Sequence, residues 1–244
     1  MNEVNQKIID AVIKKAEKIC PESLALIGIY GSVASGDEYE KSDLDLLILI
    51  QDNRGWQLGT GFILEDSGIG YDIYCTNWDG LREDSKCHHA QISKLMDSKI
   101  VYIKNQQAYE ELCRLREQTR QFLASEKRDQ RVDELIDKAK IAFANAYLHD
   151  SLGQVRMDAC EVIDDLCDAM MLFHGRYFRL GVKRMLEELA SIGVDDCFLA
   201  VIKKIVVCKE LSEMRGLLGN LLAYSDIHLR KKKEKAAPSK DLAG

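Results

Sequence analysis

Proline is nearly absent from this 244-residue sequence, which has only Pro21 and Pro238, so little between them forces a helix to break. No apolar run approaches the roughly 20 residues needed to cross a bilayer. The stretch from Met1 to Asp10 mixes acids, amides and one lysine where a signal peptide would place a basic region and an apolar block. A cytoplasmic protein with no membrane partner is expected. Eight cysteines occur without a C-x-x-C pair, which argues against a zinc ribbon or a redox couple; they read as reduced, mostly buried thiols. Cys87-His88-His89 reads as ordinary helix residues, because adjacent side chains point in different directions and rarely chelate one ion. A basic face is missing as well. The net charge is −6, and Arg230 to Lys235 alone holds five basic residues and one acid, so the rest of the chain is more acidic still. A nucleic-acid partner is therefore not expected, and residues 231–244 read as a disordered, solvated basic tail. No internal repeat is visible.

What is present divides the chain in two. Residues 3–19 place Val4, Ile8, Ile9, Val12, Ile13 and Ala16 at helical spacing, and Pro21 stops the helix. Leu24 to Tyr30 and Leu44 to Ile50 are short continuous apolar runs that read as buried strands. The polar, glycine-bearing segment Gly31 to Ser42 between them allows a short helix at most. Phe62 to Leu64 and Ile69 to Cys75 flank Glu65-Asp-Ser-Gly68, which suits a hairpin, and Ile100 to Ile103 makes a further strand. Amphipathic segments at 87–97 and 106–123 complete the first half. From Glu126 onward the period is helical, with helices expected over about 128–151, 156–174, 180–191, 194–208 and 210–227, broken at Gly153, Gly175 and Gly193. The fold class expected is α+β: a mixed sheet with helices over 1–124, then an all-α bundle over 125–230.

Chemistry concentrates in the first half. Side chains two apart on a strand share a face, so Asp43 and Asp45 present two carboxylates together while Leu44, Leu46 and Ile48 enter the core. Two adjacent carboxylates repel unless a cation sits between them, and hard oxygen ligands suit Mg²⁺. Asp72, within Tyr71-Asp72-Ile73-Tyr74, joins the pair if its strand runs beside the first. Three carboxylates can hold two Mg²⁺ ions, which stabilise the attacking and leaving oxygens when a hydroxyl attacks the α-phosphorus of a triphosphate. Gly31 lets backbone approach phosphate, and Ser32 can donate its hydroxyl to it. Each feature alone is a turn or a half-exposed strand; their order and strand context give them weight. The spacing Gly31 to Gly36 also fits a P-loop, but Asp37 and Glu38 stand where that loop needs Lys and Ser or Thr, and two acids there would repel the ligand.

Gly31-Ser32, Gly36, Ser42-Asp43-Leu44-Asp45 and Asp72 resemble the signature of the polymerase-β-like nucleotidyltransferase superfamily over roughly residues 24–75. The entry Ile27 to Ser32 and the helical second half are similar to kanamycin-type aminoglycoside nucleotidyltransferases. The resemblance implies an α/β catalytic core, Asp43, Asp45 and Asp72 as catalytic metal ligands, Gly31, Ser32 and Ser42 at the nucleotide, and transfer of AMP from ATP to a drug hydroxyl. A general base is not identified; Asp79, Glu83, Asp150 and Asp158 qualify on residue type only.

On the 156–174 helix, Asp158, Glu161, Asp165 and Asp168 fall at steps of 3, 4 and 3 on one face. A solvated acidic face is the plain account; a cleft wall that attracts a cationic acceptor is the sharper one. The expected partners are thus a nucleoside triphosphate and a small cationic hydroxyl acceptor, with a homodimer left open. The alternatives are the same chemistry on a protein or nucleic acid, and a nucleotide-binding member of a toxin–antitoxin pair without turnover.

Overall fold

The structure, a computed structural model, describes residues 3–36, 43–64 and 68–236, with side chains as far as Leu229. The chain divides into two compact units, one of Met1–Ser125 with Tyr177–Val182, the other of Glu126–Arg176 with Lys183–Gly244.

The first unit opens with α1 (Glu3–Ile19), whose Ile9 and Ala16 are fully buried. Beyond Pro21 the chain enters β1 (Leu24–Tyr30), followed by α2 (Gly31–Ser35), β2 (Leu44–Ile50), β3 (Thr60–Leu64), β4 (Ile69–Asn77) and, later, β5 (Lys99–Ile103). These strands form one mixed sheet in the order β3-β4-β2-β1-β5. The β2–β4 pair is parallel, and the other neighbours are antiparallel. β1 and β2 lie inside the sheet, which is why both are near-continuous apolar runs: each face must be covered. Ile27, Ile29, Leu46, Ile48 and Ile73 share a core with Ile9 and Ala16 of α1. Leu47 and Leu49 alternate to the other face and are equally buried. Helices α3 (Trp78–Ser85), α4 (Ser93–Asp97) and α5 (Gln106–Ala124) pack against β1 and β4.

Two features of this unit differ from expectation. The helix expected over 87–97 exists only at Ser93–Asp97; Cys87 is buried with φ +52 and His88 is exposed, so Cys87-His88-His89 is a turn. The unexpected helix is α3. It buries Leu81 alone, so it shows no apolar period, and its start is marked only by Asn77, whose side chain accepts from Gly80 N at 2.9 Å.

The segment Tyr177–Val182 returns to the first unit. Tyr177 donates its hydroxyl to Asp97 at 2.8 Å, Phe178 N donates to the Ala90 carbonyl at 2.8 Å, and the Phe178 ring is 3% exposed. Phe178→Ala is expected to lower the stability of this unit by about 3–5 kcal/mol, the usual loss for an emptied aromatic site. Urea unfolding followed by tryptophan fluorescence, with Trp56 and Trp78 both in this unit, measures it.

The second unit is helical: α6 (Lys127–Leu148), α7 (Leu152–Phe173), α8 (Met185–Ser191), α9 (Asp196–Val207) and α10 (Leu211–Ala236). The break between α6 and α7 falls at 149–151, and Gly153 lies inside α7. Side chains set that break. Arg215 donates to the carbonyls of Ala146 and His149 at 2.9 and 2.5 Å, and Ser151 Oγ accepts from Gln154 N at 3.3 Å. Gly175 and Gly193 follow helix ends with φ of +65° and +78°. α10 continues through the basic run to Ala236, past the end expected at 227 and into the segment read as a disordered tail. Lys, Arg, Glu and Ala are good helix formers, and no proline intervenes before Pro238. The remainder of the tail, 237–244, lies outside the described residues.

The four acids of α7 do not form one solvated stripe. Asp158 and Asp168 are buried, because α7 packs against both α6 and α10. Asp158 Oδ2 lies 2.7 Å from His149 Nδ1. Glu161 and Asp165 instead line an open groove beside Asp164 and Lys138. Burial pushes the Asp164 and Asp165 carboxyls up, with the Lys138 charge acting against the shift at Asp165. No helix among the described residues is long and apolar enough to cross a membrane.

Candidate active site

The parallel β2–β4 ladder pairs Asp45 with Asp72, and β1 pairs Tyr30 with Asp45. Leu46 and Ile73 enter the core beside α1, so alternation turns Asp45, Asp72 and Tyr30 to the opposite face. Asp43 precedes β2 by one residue and is exposed; Asp72 is exposed and Asp45 half-buried. The sequence thus placed three carboxylates on one region of the sheet, and the strand order brings them there.

Each is engaged differently. Asp43 Oδ1 accepts from the backbone N–H of Gly70 at 3.1 Å, and a Cβ on Gly70 would stand 2.5 Å from that oxygen. Asp72 Oδ2 accepts from the Tyr30 hydroxyl at 3.2 Å. Asp45 faces Gly31, where an added Cβ would overlap Asp45 Oδ2. Gly31 has φ +70 and opens α2, and Ser32 is half-buried in its first turn, with its carbonyl accepting from Gly36 N at 3.0 Å. Ser42 lies outside the described residues.

As the side chains stand, no group of three or more His, Cys, Asp or Glu among the described residues is gathered closely enough to hold a metal ion. Like charges repel, and Asp43 and Asp72 are directed to hydrogen-bond donors. The donor set nevertheless fits a hard cation: all the ligand atoms are carboxylate oxygens, and two glycines keep the space beside them open.

Tyr30, Gly70, Tyr74 and Lys94 were not singled out from the sequence. Gly70 was within reach, since it shares a strand face with Asp72 two residues on. The bond from Tyr30 to Asp72 spans 42 residues, and no local pattern reveals it. Tyr30 is 7% exposed, and burial, reinforced by the charges of Asp72 and Asp45, pushes its phenol far above the usual tyrosine range, so it remains a donor. Lys94 Nζ lies 3.6 Å from the centre of the Tyr74 ring and 5.4 Å from that of Tyr30, both within cation–π range. Nearby, burial pushes the Asp84 carboxyl up, opposed by the charges of His89 and Lys94. Beside Asp43 and Asp72 a shallow depression is walled by Phe62, Ile63 and Tyr71. The Phe62 and Tyr71 rings stack at 5.0 Å and 13°.

Of the possible bases, Asp79 pairs with Arg82 at 3.0 Å, Glu83 with Lys86 at 2.5 Å and Asp158 with His149. The Asp79 and Glu83 pairs do not involve the three carboxylates.

Residues 9–118 match the model of the nucleotidyltransferase domain family. The matched span takes in Asp43 and the strands β2 and β4 that carry Asp45 and Asp72. A solved nucleotidyltransferase-like protein from Exiguobacterium sibiricum is similar over 92% of this chain and 75% of its own, at 14% identity and a TM-score of 0.48. A likeness that distant bears on neither activity nor substrate. A search of curated proteins gives no match.

Proposed function

We propose that this protein is an Mg²⁺-dependent nucleotidyltransferase that moves AMP from ATP to a hydroxyl of a small cationic acceptor of the aminoglycoside type. The observation that carries the reading is the pairing of Asp45 with Asp72 across the parallel ladder, with Gly31 held against Asp45. Asp43, Asp45 and Asp72 would hold the metal, which supplies charge to the attacking and leaving oxygens. Gly31 offers backbone at close range to phosphate, and Ser32 and Ser42 supply hydroxyl donors. The acceptor oxygen forms a bond to the α-phosphorus as its proton passes to solvent water, and the bond from that phosphorus to pyrophosphate breaks, the pyrophosphate leaving with the metal's charge beside it. Ile63, which shares the sheet face of Gly70 and Asp72, gives the depression an apolar edge against which a base or a sugar ring can lie. An acidic protein, net −6, favours a cationic acceptor over a polyanion. The work would take place in the cytoplasm, by a monomer or a homodimer.

The test incubates the protein with Mg²⁺, each of the common nucleoside triphosphates, and a panel of aminoglycosides and neutral hydroxyl compounds, and follows products by mass spectrometry. An aminoglycoside heavier by one AMP is expected. Transfer confined to a protein or an RNA would replace the acceptor class, and nucleotide binding with no transfer to anything would overturn the enzyme.

A further inference from the structure

Within the reading just given, we infer that Tyr30 is a positioning residue for Asp72, fixing one carboxylate oxygen so that the other is presented to the metal. Asp72 sits exposed on β4, where a short side chain on a solvated surface would otherwise sample several rotamers. Tyr30 reaches it from β1, across the intervening strand β2, and donates to Oδ2 at 3.2 Å. The phenol is buried and itself held, since Lys94 lies over both its ring and that of Tyr74. Tyr74 stands two residues beyond Asp72 on the same strand face. The hydrogen bond thus comes from a fixed donor and selects one orientation of the carboxylate. A carboxylate with one oxygen committed binds a cation through the other, and loss of such an outer partner commonly weakens metal affinity by about 10–100-fold.

The experiment measures metal binding apart from turnover. Mn²⁺, standing in for Mg²⁺, is titrated into the full-length protein with a non-hydrolysable ATP analogue, and occupancy is read from water-proton relaxation. Tyr30→Phe keeps the ring and removes only the hydroxyl; it is expected to weaken Mn²⁺ binding by about tenfold with the thermal midpoint nearly unchanged. In an Asp72→Asn background the same substitution should change Mn²⁺ affinity less than twofold, because the two act through one contact. Unaltered affinity in Tyr30→Phe, or an equal loss in both backgrounds, would overturn the inference. If instead the unsubstituted protein binds no Mn²⁺ with the analogue present, the metal-dependent reading of the site fails first.

Discussion

Asp45→Ala is expected to lower kcat/KM for nucleotidyl transfer by at least about a hundredfold, the order seen when preorganised stabilisation of transition-state charge is lost. Asp43→Ala and Asp72→Ala should follow it. Asp45 has the central place: it is paired with Tyr30 on one side and Asp72 on the other, and Gly31 is shaped around its carboxylate. Folding should survive, because removing one of several clustered carboxylates relieves repulsion in the metal-free protein. Transfer of label from α-phosphate-labelled ATP, with a thermal melt of each variant, separates the two effects. Near-normal turnover in the Asp45 variant would remove these residues from the chemistry.

Gly31→Ala should damage the same site through a different route. Its φ of +70 already disfavours a side chain, by about 1–2 kcal/mol, and the new methyl would push directly on Asp45 Oδ2. Gly36→Ala is the matched control. Gly36 has φ +82, but a Cβ there meets nothing within 4 Å, so it carries the strain without the collision. Both variants are expected to lose similar stability, and only Gly31→Ala to lose activity, by tenfold or more in line with displaced ligating groups. Equal activity in the two would mean that Asp45 tolerates the push.

Most of the sheet was legible because its strands obey simple patterns. Leu24 to Tyr30 is apolar throughout and Leu44 to Ile50 is apolar but for Asp45, and the structure gives both strands those bounds. The three aspartates were legible for the same reason, since alternation fixes the face of each. Their order across the sheet, which sets Asp45 opposite Asp72, is a long-range property and rested on resemblance. Where local pattern fails, so did the reading. α3 buries one leucine, Cys87 takes a backbone angle that its residue type does not announce, and Gly153 resembles a breaker while Arg215, more than sixty residues away, decides where the helix stops. Asp158 and Asp168 look solvated on a helical wheel, yet α7 is packed on two sides. Wheel patterns assume one buried face.

The strap Tyr177–Val182 makes the first unit non-contiguous along the chain: its last buried aromatic, Phe178, is encoded after two long helices of the other unit. During synthesis the sheet can assemble once Ile103 and α5 have emerged, but its surface around Ala90 and Asp97 stays unfinished until a further fifty or so residues are made. A fragment ending at Ser125, the natural place to cut by eye, would keep every residue of the carboxylate site and still lack this closing piece. Supplying residues 177–182 on a short glycine linker, rather than lengthening the fragment into α6, is the design by which the first unit could be obtained alone.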